Sequence, residues 1–207
     1  MRNWRQRRRG NRAVRAVLTI ATSIADILSH RRAPGPKFAM LVLIALLLFP
    51  ALMSFAASSD LFTMTISNRI SLALIAGFPL LAFASGLPGS TILWHLACGF
   101  TVLVVTFALF SFGWIGGGDA KLAAATGVWL GFGHIVEYGL IASFLGGILT
   151  LGIVHLRGMD MPPRLVEFDW FARIYNKNNG VPYGIALAVA GLVLYPDSTI
   201  FAAIASR

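Results

Sequence analysis

The chain has 207 residues, of which 57% are hydrophobic and only 12% charged, a balance too apolar for a water-soluble domain and expected of an integral membrane protein. The net charge of +9 is unevenly held, with ten of the 17 Lys and Arg at or before Lys37. The single cysteine, Cys98, excludes an internal disulfide and a cysteine-based metal cluster.

Met1 to Arg15 carries seven arginines. Beside a membrane region such a run is expected against anionic lipid head groups rather than on RNA, so lipid is an expected partner and nucleic acid is not. Ala13 to Ser29 is moderately apolar, is interrupted by Asp26, and suits a helix lying in the interface. Arg31 to Lys37 is a linker rich in helix breakers. Residues 1–37 therefore read as a basic, non-catalytic arm ahead of a membrane-embedded region, 38–207. The alternative is a natural start at Met40, with the arm no part of the protein. The first apolar stretch has no clear small-residue cleavage site, so no cleavable signal is read.

Phe38 to Ala57 is long enough to cross a hydrocarbon core of about 30 Å. It exits through Ser58-Ser59-Asp60 and the stretch to Arg69. A second span is expected over Ile70 to Gly86, with Pro79 inside it, and a third over Thr91 to Phe112, with His95 and Cys98. Asp119 to Gly133 is short for a crossing and suits a half-buried helix. Ile135 to Val154 is a fifth span, on which Gly139, Ser143 and Gly147 recur every four residues and permit close helix packing. A polar loop, His155 to Gly180, leads to a last span from Val181 to Pro196. The expected fold is all-α and polytopic, with about six membrane helices.

Between the third and fourth segments lies Trp114-Ile115-Gly116-Gly117-Gly118-Asp119-Ala120-Lys121. Three glycines let the backbone turn sharply and let other segments come close. Asp119 stands where a helix would start, and as an N-cap it would accept the free amides of the first turn. A cap alone does not call for a carboxylate at lipid depth, and an ionisable residue there marks a candidate site. Asp60 is the only acidic residue between Asp26 and Asp119. Two aspartates on different helices at one membrane face fit aspartic proteolysis. One carboxylate takes a proton from water and a protonated partner polarises the carbonyl, because close carboxylates share a proton rather than both ionising. Competing chemistry finds little support. His30, His95, His134 and His155 lack metal-ligand spacing, no phosphate loop or Gly-x-Ser-x-Gly elbow is present, and no cofactor or metal is expected. Glu137, Asp160, Glu167 and Asp169 read as solvated helix ends or loop.

Gly116-Gly117-Gly118-Asp119-Ala120-Lys121-Leu122 resembles the GxGD signature of type IV prepilin peptidases. Asp60 to Arg69 resembles that family's first-aspartate motif, which usually ends Ile-Pro-Asn, with Ser67 here in place of the proline. Val181-Pro182-Tyr183-Gly184-Ile185-Ala186 resembles the final-helix motif. The compact size, without paired Cys-x-x-Cys, resembles the short branch serving Flp/Tad pili. The resemblance implies a membrane-embedded aspartic endopeptidase of the bacterial inner membrane. It implies Asp60 and Asp119 as the catalytic pair, and Gly116, Gly117, Gly118 and Lys121 as supporting motif. Lys121 either helps hold a carboxylate ionised or anchors its helix at the interface. The implied substrate is a prepilin cut at the cytoplasmic face after a glycine that precedes its hydrophobic helix, with pilus assembly machinery as a further partner.

Two other readings stand beside this one. A general intramembrane aspartyl protease would bring a Pro-Ala-Leu motif that this chain lacks near its last span. A small ion- or proton-coupled transporter would use the aspartates as a relay. Orientation follows from Arg69, Lys121 and the basic residues of the long loop, which mark cytoplasmic connections. The basic arm then falls on the outer side. That conflict dissolves if the chain starts at Met40 or if the Ala13 to Ser29 helix crosses the membrane.

Overall fold

A computed structural model of the chain describes residues 36–160 and 167–205, together with Leu18, Ala21 and Thr22. The arginine-rich arm, the interfacial helix expected over Ala13 to Ser29 apart from those three residues, His30, the linker up to Gly35 and Arg164 lie outside the described residues. Among the described residues the protein is helical, with no strand. The helices are α1 (Pro36–Thr63), α2 (Asn68–Ala84), α3 (Gly89–Ser111), α4 (Gly117–Leu130), α5 (Ile135–Leu156), α6 (Asp169–Tyr175), α7 (Gly184–Leu194) and α8 (Thr199–Ala205). A 3-10 turn, Tyr195–Asp197, joins the last two.

Among the described residues three helices are long and apolar enough to span a membrane: Val42–Thr63 within α1, α3 and α5. There are four if α7, the 3-10 turn and α8, bent by 48°, make one broken span. Each of the six expected segments is present as a helix. However, α2 has 17 residues and α4 has 14, which at 1.5 Å per residue gives about 26 Å and about 21 Å, short of the hydrocarbon core. Large apolar side chains such as Leu80, Phe83, Phe100, Leu140, Phe144 and Leu151 stand outward on α2, α3 and α5. Apolar surface on that scale is stable facing lipid, and the protein is an integral membrane protein.

The centre of the bundle is α4. Ala120 and every residue from Leu122 to Leu130 are buried, and a helix that is apolar all round belongs inside. Its middle is built of small residues, Ala123 to Gly127, which let α3, α2 and α7 close around it. Its far end is held by Trp129, whose ring meets Phe49 at 5.1 Å and Phe78 at 5.7 Å. The indole Nε1–H donates to the Leu74 carbonyl at 2.9 Å, so the one polar atom of this large buried side chain is satisfied. His95 stacks on Phe78 and pairs through Nδ1 with the Val128 carbonyl at 2.9 Å, which makes it a packing histidine at the end of α4.

The first helix runs further than its apolar stretch. It passes Ala57 and continues to Thr63, with its hydroxyls satisfied on its own carbonyls: Ser58 Oγ donates to the Ser54 carbonyl at 2.8 Å and Thr63 Oγ1 to the Ser59 carbonyl at 2.7 Å. Met64, at φ 54, then takes the left-handed position that ends the helix. Asp60 thus lies in the last turn of α1 rather than in an exit loop. The polar loop folds onto the same end of the bundle. Arg157 donates from Nε to the Ile174 carbonyl at 2.7 Å and from Nη2 to the Gly180 carbonyl at 2.8 Å, and Arg173 reaches the Phe62 carbonyl at 3.2 Å.

Candidate active site

Asp60 is 5% exposed, and its Oδ2 accepts a hydrogen bond of 2.7 Å from the backbone N–H of Gly184. Gly184 is the first residue of α7, where amides have no partner inside their own helix and the helix dipole favours a negative group. The last-helix motif, to which the sequence attached no defined role, therefore carries the donor that orients Asp60. A side chain at Gly184 would not fit: a Cβ would stand 2.8 Å from Asp60 Oδ2 and 2.7 Å from Ile66 Cδ1.

Asp119 is not the N-cap of its helix. Gly116 occupies that position, α4 starts at Gly117, and Asp119 sits in the first turn. Its carboxylate curls back over Gly116 to that residue's amide, and a Cβ on Gly116 would come within 2.8 Å of Oδ2. This is the return half of a capping box, with the third helical residue reaching the cap amide. The glycines make the difference, since a cap without a side chain leaves its amide open to Asp119. Gly117 and Gly118 lie against the Phe110 ring and Ile66, so the triplet is wedged between α3 and the α1–α2 connection.

Both carboxylates line one cavity and are near enough to act on each other electrostatically. That cavity, of about 1030 Å³, extends from the aspartates along α3 and α5 and is walled mainly by apolar side chains. A second pocket of about 380 Å³ also borders them, lined by Thr65, Asn68, Gly116, Gly117, Gly118 and Lys121 among others. The pair therefore borders both the apolar trough and a smaller pocket that adds the polar side chains of Thr65, Asn68 and Lys121. Lys121 Nζ donates to Asn68 Oδ1 at 2.9 Å, which ties the glycine motif to the end of the first-aspartate motif. Ser67 caps α2, its hydroxyl accepting from the Arg69 amide at 3.3 Å, so a capping serine starts the helix where the resembled motif has proline. Glu137, Asp160, Glu167 and Asp169 line neither opening.

Such an arrangement can hold a water between two carboxylates and present an apolar segment to them. Comparison with known proteins bears on which segment that is. The sequence profile of the type IV leader peptidase family matches residues 47–151, just over half of the chain, and includes both aspartates. Two curated relatives carry the name prepilin leader peptidase/N-methyltransferase. The protein from Aeromonas salmonicida is 29% identical over 152 residues, covering 67% of this chain and 45% of its own length. The protein from Aeromonas hydrophila is 29% identical over 129 residues, covering 60% of this chain and 37% of its own. The chain thus spans less than half the length of these relatives. No solved structure matches it.

Proposed function

The chain belongs to the type IV leader peptidase family, and on that premise we propose that it is an aspartic endopeptidase that removes the leader of a type IV prepilin at the cytoplasmic face of the bacterial inner membrane. The observation that carries this reading is that Asp60 and Asp119, from different helices, line one cavity with a backbone amide at each carboxylate. In this mechanism one aspartate takes a proton from water as its oxygen attacks the scissile carbonyl, while the protonated aspartate gives its proton to the carbonyl oxygen. Collapse of the tetrahedral intermediate breaks the C–N bond and protonates the leaving amine, and the pair again holds a single proton.

The cytoplasmic side is supported by the positive-inside rule, since Arg69, Lys121, Arg157 and Arg173 cluster at the aspartate end of the bundle. A Flp-type substrate, with a glycine before its hydrophobic helix, is the finer reading and rests on the resemblance of the motifs. The family match favours peptidase chemistry over an ion relay.

The test is prepilin cleavage by the purified protein in liposomes. Asn is nearly isosteric with Asp but serves as neither base nor acid. Asp60→Asn and Asp119→Asn should each abolish cleavage at normal protein level, and the double variant should be no worse than either, because groups acting as a unit are not additive. Cleavage at near wild-type rate by either single variant would overturn the two-carboxylate mechanism.

A further inference from the structure

The apolar trough runs well beyond the two aspartates. On α3 its wall extends from Cys98 to Leu109, about 16 Å of helix, and alongside it on α5 from Ile135 to Thr150, about 22 Å. That is about half to three-quarters of a hydrocarbon core. The trough lies where the two helices part, since α3 packs on α4 and α5 packs on α7. Val105, on the α3 wall, is 55% exposed, and a Cβ added at Gly139 would meet nothing within 4 Å.

The α5 wall is unusual for a lipid-facing surface. Gly139 and Ser143 lie one turn apart in the trough, and Gly147, a turn further on, is also open. Inside the chain the close contact is made by a different residue, Gly146, which lies under the Tyr183 ring. Among the described residues, therefore, the open small residues pack against nothing. Beside them Tyr138, 3% exposed, forms the closed base of the same wall. Small residues admit another helix's backbone at close range. An acyl chain needs no such opening.

We infer that the trough between α3 and α5 is the seat of the substrate's own membrane helix, which enters sideways from the lipid and lies along the Gly139–Ser143 face with its N-terminal end at Asp60 and Asp119. This rests on the peptidase reading above and names where that substrate docks. Continuity carries the argument, because trough and candidate dyad form one cavity. A bond just before a hydrophobic helix can then reach the carboxylates while the helix stays in the membrane. The first amides of a helix have no intrahelical partner, so the substrate would be cut there without unwinding a turn.

The test uses the full chain in liposomes with a prepilin substrate and a short junction peptide lacking the hydrophobic helix. A photo-crosslinking residue at Val105 or Ser143, in the Asp119→Asn background, should capture the prepilin helix. The same residue at Phe83 or Phe144, which face outward, should not. Gly139→Leu, which fills the trough, should raise KM for full prepilin at least tenfold while turnover of the short peptide changes less than twofold. Adducts only to a second copy of this chain, or only to lipid, would overturn the docking site. So would equal capture from the outward positions, or an unchanged KM in Gly139→Leu. Wild-type protein that cuts no prepilin would instead sink the peptidase reading, and the docking site with it.

Discussion

Gly184→Ala is the sharpest probe of the site, because the changed atom is one methyl group and its target is one carboxylate. The added Cβ would stand 2.8 Å from Asp60 Oδ2, 3.1 Å from Asp60 Cβ and 2.7 Å from Ile66 Cδ1. The Ile66 tip can rotate away. Asp60 cannot clear the methyl by rotation alone, since its own Cβ is also too near. To restore ordinary contact the aspartate must move by about 0.6 Å or more, which stretches or breaks the 2.7 Å bond from the Gly184 amide. Losing a hydrogen bond to a charged group costs about 1.5–3 kcal/mol, or about 10- to 150-fold in rate if the bond is needed in the transition state. Misplacing a reacting group by about 1 Å costs a similar ~10²-fold. The expected result is a fall of about 10²-fold in kcat, measured by single-turnover prepilin cleavage in liposomes with protein level followed by immunoblot. Alanine is the better helix former, so intrinsic propensity works against a trivial loss of α7. Gly152→Ala, on α5 with open space around the added methyl, is the control and should leave cleavage unchanged. Gly184→Ala at more than half the wild-type rate would show that the α7 amide does not position Asp60.

Two further outcomes follow from the same end of the molecule. Lys121→Ala and Asn68→Ala should each lower cleavage less than tenfold, and their double variant should be no worse than the more damaging single one, because they remove the two halves of one 2.9 Å contact; full additivity in the double-mutant cycle would count against a shared role. Cysteine probes at Lys177 or Asn178 should react only from the cytoplasmic side and probes at Gly89 or Ser90 only from outside, with the reverse pattern placing the aspartates on the wrong face for a prepilin junction.

Much of the fold is legible in the apolar runs, because burial in lipid leaves few ways to arrange twenty apolar residues. Helix ends are less so. The apolar stretch of α1 stops near Ala57, but the helix goes on to Thr63 with its serine and threonine hydroxyls bonded back to its own carbonyls, and no hydropathy pattern records that. The two aspartates announce themselves by being carboxylates in apolar surroundings. The Gly184 amide does not, since a backbone donor leaves no side-chain trace and only three dimensions bring it to Asp60. Glycine is ambiguous in the same way. Gly139 and Gly146 sit on one helix and look alike in sequence, yet one is open to the trough and the other lies beneath a tyrosine ring. The spacing at Gly139, Ser143 and Gly147 suggests close packing, but among the described residues Gly139 and Gly147 are open and the close approach is made at Gly146 instead.

The shortness of α4 ties these features together. A helix of 14 residues covers about 21 Å, so its two ends cannot both reach the edges of a core of about 30 Å. The far end is fixed among Phe49, Phe78 and Trp129, with the indole bonded to Leu74. The near end, Gly116 to Asp119, lies level with Asp60 in the last turn of α1 and with Phe110 at the end of α3, whereas the far end meets Phe49 and His95 well inside those helices, so the shortfall falls at the far end. Irregular backbone at membrane depth is stable only where protein buries it or a water-filled cavity meets it. Here the glycine triplet is wedged against Phe110 and Ile66, and the pocket at Asn68 and Lys121 opens beside it. The glycine turn that brings Asp119 to Asp60 thus has polar side chains at hand for water, while the trough offers an apolar wall to a substrate helix. A hydrolase that cuts at the rim of the membrane needs both.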